Sequence, residues 1–102
     1  MTAEFGMFVT FEARPGQRDA LVDVLLEAAD VVQALPDCLT YTVGTVADQD
    51  DAVCVVEFWT SEQAHADSLE RDDVRAVIGS GMPLVAGMGS QVRIAPVTSP
   101  RS

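Results

Sequence analysis

The stretch FWTSEQAHADSLE, residues 58–70, contains the only tryptophan and the only histidine of the chain, Trp59 and His65. Histidine is the side chain whose change of charge falls nearest neutral pH, so it suits a base. A base in a dry pocket could remove a proton from a bound molecule, provided that nearby donors stabilise the anion that forms. The alternative is a tryptophan that packs in the core beside a histidine on a helix surface.

Other residue types suit the surroundings of such a substrate. Tyr41 could donate to a substrate oxygen or fill the core with its hydroxyl at the edge. Arg75 and Arg93 could pair with an anion, although each could simply pair with a surface carboxylate. Met82 lies beside a glycine-rich segment and could form the mouth of a pocket for a flat aromatic ligand. The predicted substrate-binding residues are Tyr41, Phe11, Ser68, Arg75 and Met82.

The composition restricts the partners of this protein. Sixteen Asp and Glu against six Arg and no Lys give a formal net charge of −10 over 102 residues. This balance repels phosphate backbones, so nucleic acid is not an expected partner. No segment reaches the roughly 18 apolar residues that span a membrane, and the first ten residues lack the basic start of a secretory signal. We therefore expect a soluble cytoplasmic protein.

Cys38 and Cys54 are the only cysteines. The predicted strands place them about seven positions out of register, which is roughly 20 Å at about 3.3 Å per residue. We therefore expect two free, buried thiols. No Cys/His spacing indicates a metal site.

The hydrophobic pattern predicts six elements. Residues 5–13 alternate as a strand with one apolar face, and residues 16–35 carry an apolar stripe at helical spacing opposite acidic residues. Strands over 38–46 and 52–59 form a hairpin, and Thr60 or Ser61 is suited to cap the next helix. A second helical piece from about residue 72 precedes a glycine-rich loop over 79–90 and a last strand over 91–97.

This order predicts one α+β domain over residues 1–98, with residues 99–102 as a flexible tail. The arrangement is ferredoxin-like, βαββαβ, with a four-stranded antiparallel sheet and its helices on one face.

The hairpin register decides which residues face the helices. Closure around Gln49 and Asp50 would put one set beneath the helices: Leu39, Tyr41, Val43, Cys54, Val56 and Phe58. The other set would then lie on the uncovered face: Thr40, Thr42, Val53, Val55, Glu57 and Trp59. That face would be half apolar, so we expect a homodimer through it, with Glu57 at the interface. A shift of one residue would instead put Tyr41 and Trp59 on the same face.

Three segments, F…A.PG..DALVDVLLEAA, LPDCLTYTV and VVEFWTSEQA, resemble in order and spacing the antibiotic biosynthesis monooxygenase (ABM) family. The resemblance covers about residues 5–95. It implies small homodimers, each a dimeric α+β barrel. Some members oxidise phenols or quinols without a cofactor, whereas others degrade haem or isomerise a signalling sugar.

Individual positions both follow and depart from the family pattern. Trp59 matches the tryptophan that commonly ends the third strand. The common histidine, nine positions after it, is Ser68 here, and His65 lies one helical turn earlier. The family's Pro-Gly-Cys turn has Asp37 at its centre, which implies a left-handed Asp37. Because the chain has no asparagine, the resemblance to the haem-degrading branch is incomplete.

The resemblance, taken with these residues, implies a homodimeric, cofactor-independent monooxygenase that oxidises a hydroxylated aromatic or quinol-type molecule, whose anion can pass an electron to oxygen. The predicted catalytic residues are His65, as the base, and Trp59. Two alternatives stay open: a non-catalytic dimer that binds a small hydrophobic molecule or stabilises a partner enzyme, and an isomerase with similar pocket chemistry.

Overall fold

The computed structural model describes residues 2–98, so the tail predicted at residues 99–102 lies outside the described residues. The elements are β1 (Phe5–Ala13), α1 (Arg18–Gln33), β2 (Cys38–Thr45), β3 (Ala52–Trp59), α2 (Glu62–Ser68), α3 (Asp72–Gly81) and β4 (Val85–Ile94). A short 3₁₀ turn, Met82–Leu84, joins α3 to β4. The strands form one antiparallel sheet in the order β2-β3-β1-β4. This is the predicted ferredoxin-like α+β fold, with its second helix divided into α2 and α3.

The apolar stripe of α1 covers one face of the sheet at two places. Near the start of α1, Leu21 packs against Val53. Near its end, Val32 packs with Phe5 and Trp59. Removing side chains of this size from water contributes about 1.5–3 kcal/mol each. The two clusters therefore hold α1 along the sheet and leave the space between them available for a cavity.

The hairpin register differs from the predicted closure around Gln49 and Asp50. Tyr41 pairs with Glu57, so the pairing centres on Gln49 alone. Asp48 occupies the turn with a left-handed φ of 66°. Because side chains alternate between the two faces of a strand, a shift of one residue turns β3 over relative to β2.

This shift reverses the predicted environment of β3. Val53, Val55, Glu57 and Trp59 were predicted for the dimer face, but all four are buried on the helix side. Tyr41 and Val43 of β2 share that side, as predicted. The prediction that Cys54, Val56 and Phe58 lie beneath the helices was wrong.

No helix of residues 2–98 lies on the opposite side of the sheet, which we call the open face. The Phe58 ring covers Gly6 there, because a Cβ on Gly6 would lie 2.7 Å from two ring carbons. Phe8 pairs with Val92 and Val56 on this side, and Gly6 pairs with Ile94. The open face is therefore largely apolar.

The segment predicted as a glycine-rich loop is mostly regular structure. Its first residues complete α3, and β4 begins at Val85, six residues before the predicted start. A bulge between β1 and β4 depends on Gly89, where a Cβ would lie 2.1 Å from the Oγ1 atom of Thr10. That oxygen accepts a hydrogen bond from the backbone N–H of Ser90 at 2.7 Å. Glycine thus permits close approach of two strands here.

Asp37 does not adopt the predicted left-handed conformation, since Asp48 is the only non-glycine residue with positive φ within residues 2–98. Asp37 instead joins the start of β2 to the end of β3. Its Oδ1 accepts from Thr60 Oγ1 at 2.9 Å, and its carbonyl oxygen accepts from the Thr60 N–H at 3.0 Å.

The two cysteines are free, as predicted. Cys54 pairs with Gly44, six positions along β2 from Cys38. Cys38 is buried, but Cys54 on the open face is only partly buried. Within residues 2–98, no helix is both long and apolar enough to cross a membrane.

Candidate functional site

A cavity of about 190 Å³ lies between the sheet and the helices. Its walls from α1 and α3 are apolar, and its polar side chains come from β2, β3 and α2. Six predicted site residues line it: Phe11, Tyr41, Trp59, His65, Ser68 and Met82. Glu57 lines it too, although it was predicted for the dimer interface. A wider surface groove of about 410 Å³ near the hairpin turn contains no histidine, tyrosine or tryptophan.

Glu57 and Trp59 point to the same side of β3 because they are two residues apart. The indole Nε1–H of Trp59 donates a hydrogen bond to Glu57 Oε1 at 2.8 Å. Both residues are buried, so the hydrogen bond satisfies the indole N–H and gives the Oε1 atom of the carboxylate a donor. The tryptophan is therefore both a core residue and a partner of the carboxylate.

His65 reaches the same carboxylate from α2. The Oγ of Ser61 accepts the Ala64 N–H at 3.0 Å, which confirms the predicted cap and fixes where the helix begins. His65 Nε2 then lies 3.4 Å from Glu57 Oε1. Its ring also contacts the rings of Phe5 and Trp59, with centroids 5.2 and 5.6 Å away. These contacts direct the imidazole inward rather than into solvent.

Ser68, at the position of the usual family histidine, is buried and lines the cavity. Its Oγ donates to the backbone oxygen of His65 at 2.6 Å. A serine here leaves room beside the cavity that an imidazole would fill. The imidazole of this site comes instead from His65, one helical turn earlier.

The environment of Glu57 favours its neutral form. Burial raises the pKa of the Glu57 carboxyl above its ordinary value, and the Trp59 hydrogen bond and the charge of His65 lower it only in part. Among the described residues, none that lines the cavity is an arginine or lysine. A carboxylate in these surroundings can therefore hold or release a proton at a higher pH than a surface carboxylate.

Tyr41 and Cys38 are neutral neighbours of Glu57 on β2. Burial, and then the charge of Glu57, raise the pKa of the Tyr41 hydroxyl above its ordinary value. The same two causes raise the pKa of the Cys38 thiol to about 11. Tyr41 therefore keeps its proton near neutral pH and can donate it to a ligand oxygen.

The remaining predicted residues lie at the edge of the cavity or outside it. Met82 lines the cavity and is 62% exposed, in agreement with a position at its mouth. Arg75 does not line the cavity, and its guanidinium lies 3.9 Å from a Glu70 carboxylate oxygen on the surface. Arg93 pairs with Glu62 and lies over the Phe5 ring.

No set of three or more histidine, cysteine or acidic side chains in residues 2–98 is grouped to hold a metal ion.

Glu57 is the site residue that sequence reasoning misplaced. The sequence did contain a signal, because β3 alternates Val53, Val55, Glu57 and Trp59, a single carboxylate in an otherwise apolar series. A lone carboxylate on a buried strand face needs a specific partner, and here Trp59 and His65 are the partners.

Comparison with known proteins identifies the family. The model of the family described as antibiotic biosynthesis monooxygenase matches residues 5–79. The chain belongs to this family. Among curated proteins, none matches the sequence.

Solved structures of family members share the whole fold. A provisionally named antibiotic biosynthesis monooxygenase from Chloroflexus aurantiacus J-10-fl is 33% identical, with a TM-score of 0.87 over 97% of this chain and 98% of that one. One from Caulobacter crescentus CB15 is 23% identical, with a TM-score of 0.85 over 94% and 92%. One from Nitrosomonas europaea is 10% identical, with a TM-score of 0.86 over 95% and 93%. At these last two identities the likeness concerns the fold alone.

The raised pKa of Glu57 predicts a pH-dependent effect of Glu57→Gln on stability. Glu57 is neutral in both folded and unfolded chains at pH values below its unfolded pKa, so the substitution changes little there. As pH rises through the folded pKa, the wild type loses about 1.4 kcal/mol for each unit by which folding raises that pKa. Glutamine keeps an acceptor for Trp59 and avoids this loss. The melting temperature of Glu57→Gln should therefore increasingly exceed that of the wild type between about pH 4 and pH 8.

The matched control is Glu27→Gln, which removes an exposed carboxylate from α1. The difference in melting temperature between Glu27→Gln and the wild type should stay constant over the same pH range when both are followed by circular dichroism. A Glu57→Gln difference that is constant or shrinks as pH rises would contradict the environment described for Glu57.

Proposed function

We propose that this protein is a homodimeric, cofactor-independent monooxygenase that oxidises a hydroxylated aromatic or quinol-type molecule. The observation that carries the proposal is a small apolar cavity with its polar groups gathered at one end. Glu57, Trp59 and His65 contact one another there, and Tyr41 lies opposite Glu57 on the neighbouring strand. Such a cavity suits a ligand with an aromatic body and a hydroxyl or keto group at one edge.

The cavity volume limits the size of the ligand. An apolar cavity of roughly 150 Å³ accommodates one benzene molecule. A volume of about 190 Å³ therefore suits an aromatic molecule of one or two rings. Larger fused systems would have to extend past Met82 at the mouth.

The chemistry follows from an anion formed in a dry, polar-ended pocket. A base at the polar end removes the hydroxyl proton, or the acidic C–H proton of the keto tautomer, and leaves an electron-rich anion. The anion transfers an electron to O₂, and the two radicals combine to form a C–O bond. Protonation gives a hydroperoxide, and where the oxygenated carbon carries a hydrogen, that hydrogen leaves with the terminal OH as water and a carbonyl remains. One oxygen atom enters the product, the other leaves as water, and O₂ is the oxidant.

The chain's own groups support the anion in this scheme. Tyr41, held neutral by its surroundings, can donate a hydrogen bond to the developing oxyanion. The apolar side chains of α1 and α3 exclude water, which strengthens that hydrogen bond. The family model that matches residues 5–79 supports the same class of reaction.

Oxygen uptake tests this function. Metal-stripped protein should accelerate oxygen consumption with menadiol, or with an anthrone if its third ring is admitted, at least tenfold over buffer. His65→Ala should lower the rate about tenfold or more, because it removes the imidazole that contacts Glu57. Uptake no faster than buffer, together with measurable binding of an aromatic alcohol, would instead support a non-catalytic binding protein. Turnover of the ligand without oxygen would support an isomerase.

The open face supports the homodimer. Phe8, Val56, Phe58, Val92 and Ile94 form an apolar surface across β3, β1 and β4. Val92, for example, is 48% exposed in the single chain. A second copy that covers this face would remove these side chains from water.

A matched pair of charge substitutions tests the dimer. Val92→Glu should weaken dimerisation by at least about a hundredfold, because a carboxylate buried between two sheets costs several kcal/mol and each tenfold is about 1.4 kcal/mol. Leu26→Glu, on the solvent side of α1 with a similar exposure of 49%, should leave dimerisation unchanged. Sedimentation velocity over a concentration series separates the two results. A monomeric wild type, or equal effects of both substitutions, would contradict a dimer through the open face.

A further inference from the structure

We propose that the Oε2 atom of Glu57 accepts the substrate proton, and that Trp59 and His65 are positioning residues that hold this carboxylate against the cavity. The inference rests on the proposed function and assigns the base within it. The sequence had assigned that role to His65.

The two partners of Glu57 converge on one oxygen. Trp59 Nε1–H donates to Oε1 at 2.8 Å, and His65 Nε2 is 3.4 Å from the same atom. Indole nitrogen is a donor only, so Oε1 acts as an acceptor. A proton taken up by Glu57 is therefore expected on Oε2.

Oε2 is the oxygen that a ligand can reach. Within residues 2–98, no hydrogen bond to Oε2 from a protein donor is present, yet no fully buried side-chain oxygen lacks a partner. Oε2 therefore retains accessible surface, and Glu57 is one of the residues that line the cavity. A phenol with its ring against the apolar walls can direct its hydroxyl to this atom.

The charges in the cavity favour transfer to Glu57 over transfer to His65. Transfer from a neutral phenol to an ionised Glu57 moves one negative charge from the carboxylate to the phenol oxygen. Transfer to a neutral His65 would create an imidazolium and a phenolate beside the existing carboxylate. Two additional charges in an apolar cavity cost more than the relocation of one.

The other groups that face Glu57 do not compete for the proton. On β2 these are the Tyr41 hydroxyl and the Cys38 thiol, and burial, followed by the charge of Glu57, raises the pKa of each and keeps both protonated. On α2 the titratable neighbour is His65. The residues that α1 and α3 contribute to the cavity wall are apolar, and no arginine or lysine of residues 2–98 lines it.

The proton also has a route back. Glu57 takes the proton from the substrate, and the substrate anion is oxidised by O₂ to a peroxide anion. The protonated Glu57 then returns its proton to the terminal peroxide oxygen. The terminal OH then leaves as water together with the hydrogen of the oxygenated carbon, which gives the carbonyl product and leaves Glu57 ionised for the next cycle. The carboxylate is therefore regenerated without another proton donor.

The decisive experiment compares the pH profiles of kcat for Glu57→Gln, His65→Gln and Trp59→Phe with menadiol as substrate. Glu57→Gln should lower kcat by about 10² or more and abolish the inflection that marks ionisation of the base. His65→Gln and Trp59→Phe should lower kcat less and keep the inflection, moved to higher pH. Both remove a contact that lowers the pKa of Glu57. Glu27→Gln is the control for loss of a carboxylate.

The opposite pattern would overturn the assignment. If the inflection vanishes in His65→Gln and persists in Glu57→Gln, His65 is the base. Glutamine at position 57 preserves the acceptor for Trp59, so fluorescence of the single tryptophan verifies that Glu57→Gln is folded.

A binding experiment separates failure of this assignment from failure of the proposed function. 4-Nitrophenol, a one-ring phenol whose ionised form absorbs visible light, is titrated anaerobically in the presence of each variant. An ionised Glu57 should raise the pH at which the bound phenol ionises. Glu57→Gln should reduce that displacement to the part that burial alone causes, and Glu27→Gln should retain it in full. If only His65→Gln changes the pH at which the bound phenol ionises, the phenol does not contact Glu57, and this result holds even if oxygen uptake is absent. A phenol that does not bind at all contradicts both proposals.

Discussion

A carboxylate buried beneath two helices is the constraint on which the rest of the site depends. Taking a carboxylate out of water costs several kcal/mol unless hydrogen bonds and charges compensate. Glu57 receives one hydrogen bond from Trp59 and contacts His65, and its pKa is raised nonetheless. A hydrophobic residue at position 57 would remove this cost, so the carboxylate is retained at the expense of stability. Such a trade is expected where a proton has to be held or moved.

The β2–β3 register determines where that carboxylate lies. With pairing centred on Gln49, Glu57 and Trp59 face the helices and Tyr41 lies opposite Glu57. One residue of slip would send both β3 side chains to the open face and leave the cavity without its carboxylate. The turn that contains the left-handed Asp48 therefore sets the register that places Glu57 in the cavity, at the other end of β3.

The sequence predicted the fold well because periodic apolar spacing reports burial directly. β1 and β3 have the predicted bounds, α1 lies within its predicted range, and Ser61 caps α2 as expected. Features that depend on the conformation of a single residue were harder to predict from the sequence. The hairpin register depends on a turn in which Asp48 is left-handed, whereas the sequence analysis assigned a left-handed conformation only to Asp37, in the separate turn before β2. The predicted β4 began six residues too late, because Gly87 and Gly89 were interpreted as part of a loop. In a strand, glycines also permit close approach, which the spacing alone does not reveal.

For the site, residue types identified several side chains that line the cavity, but they did not identify its carboxylate. Trp59, His65 and Tyr41 line the same cavity, but their functional roles are still predictions. Glu57 was assigned to the wrong face by the register error alone. Ser68 marked a departure from the family pattern, and the structure shows an imidazole contributed from one turn earlier on α2.

The single indole of the chain offers the most direct test of this account. In a ¹⁵N–¹H correlation spectrum, the Trp59 Nε1–H signal should shift as Glu57 ionises, because the two groups share a hydrogen bond. The account predicts a midpoint above the ordinary glutamate value of about 4.3, and loss of that transition in Glu57→Gln. An indole signal that does not titrate, or that titrates at the ordinary carboxyl value, would contradict the buried, proton-holding carboxylate.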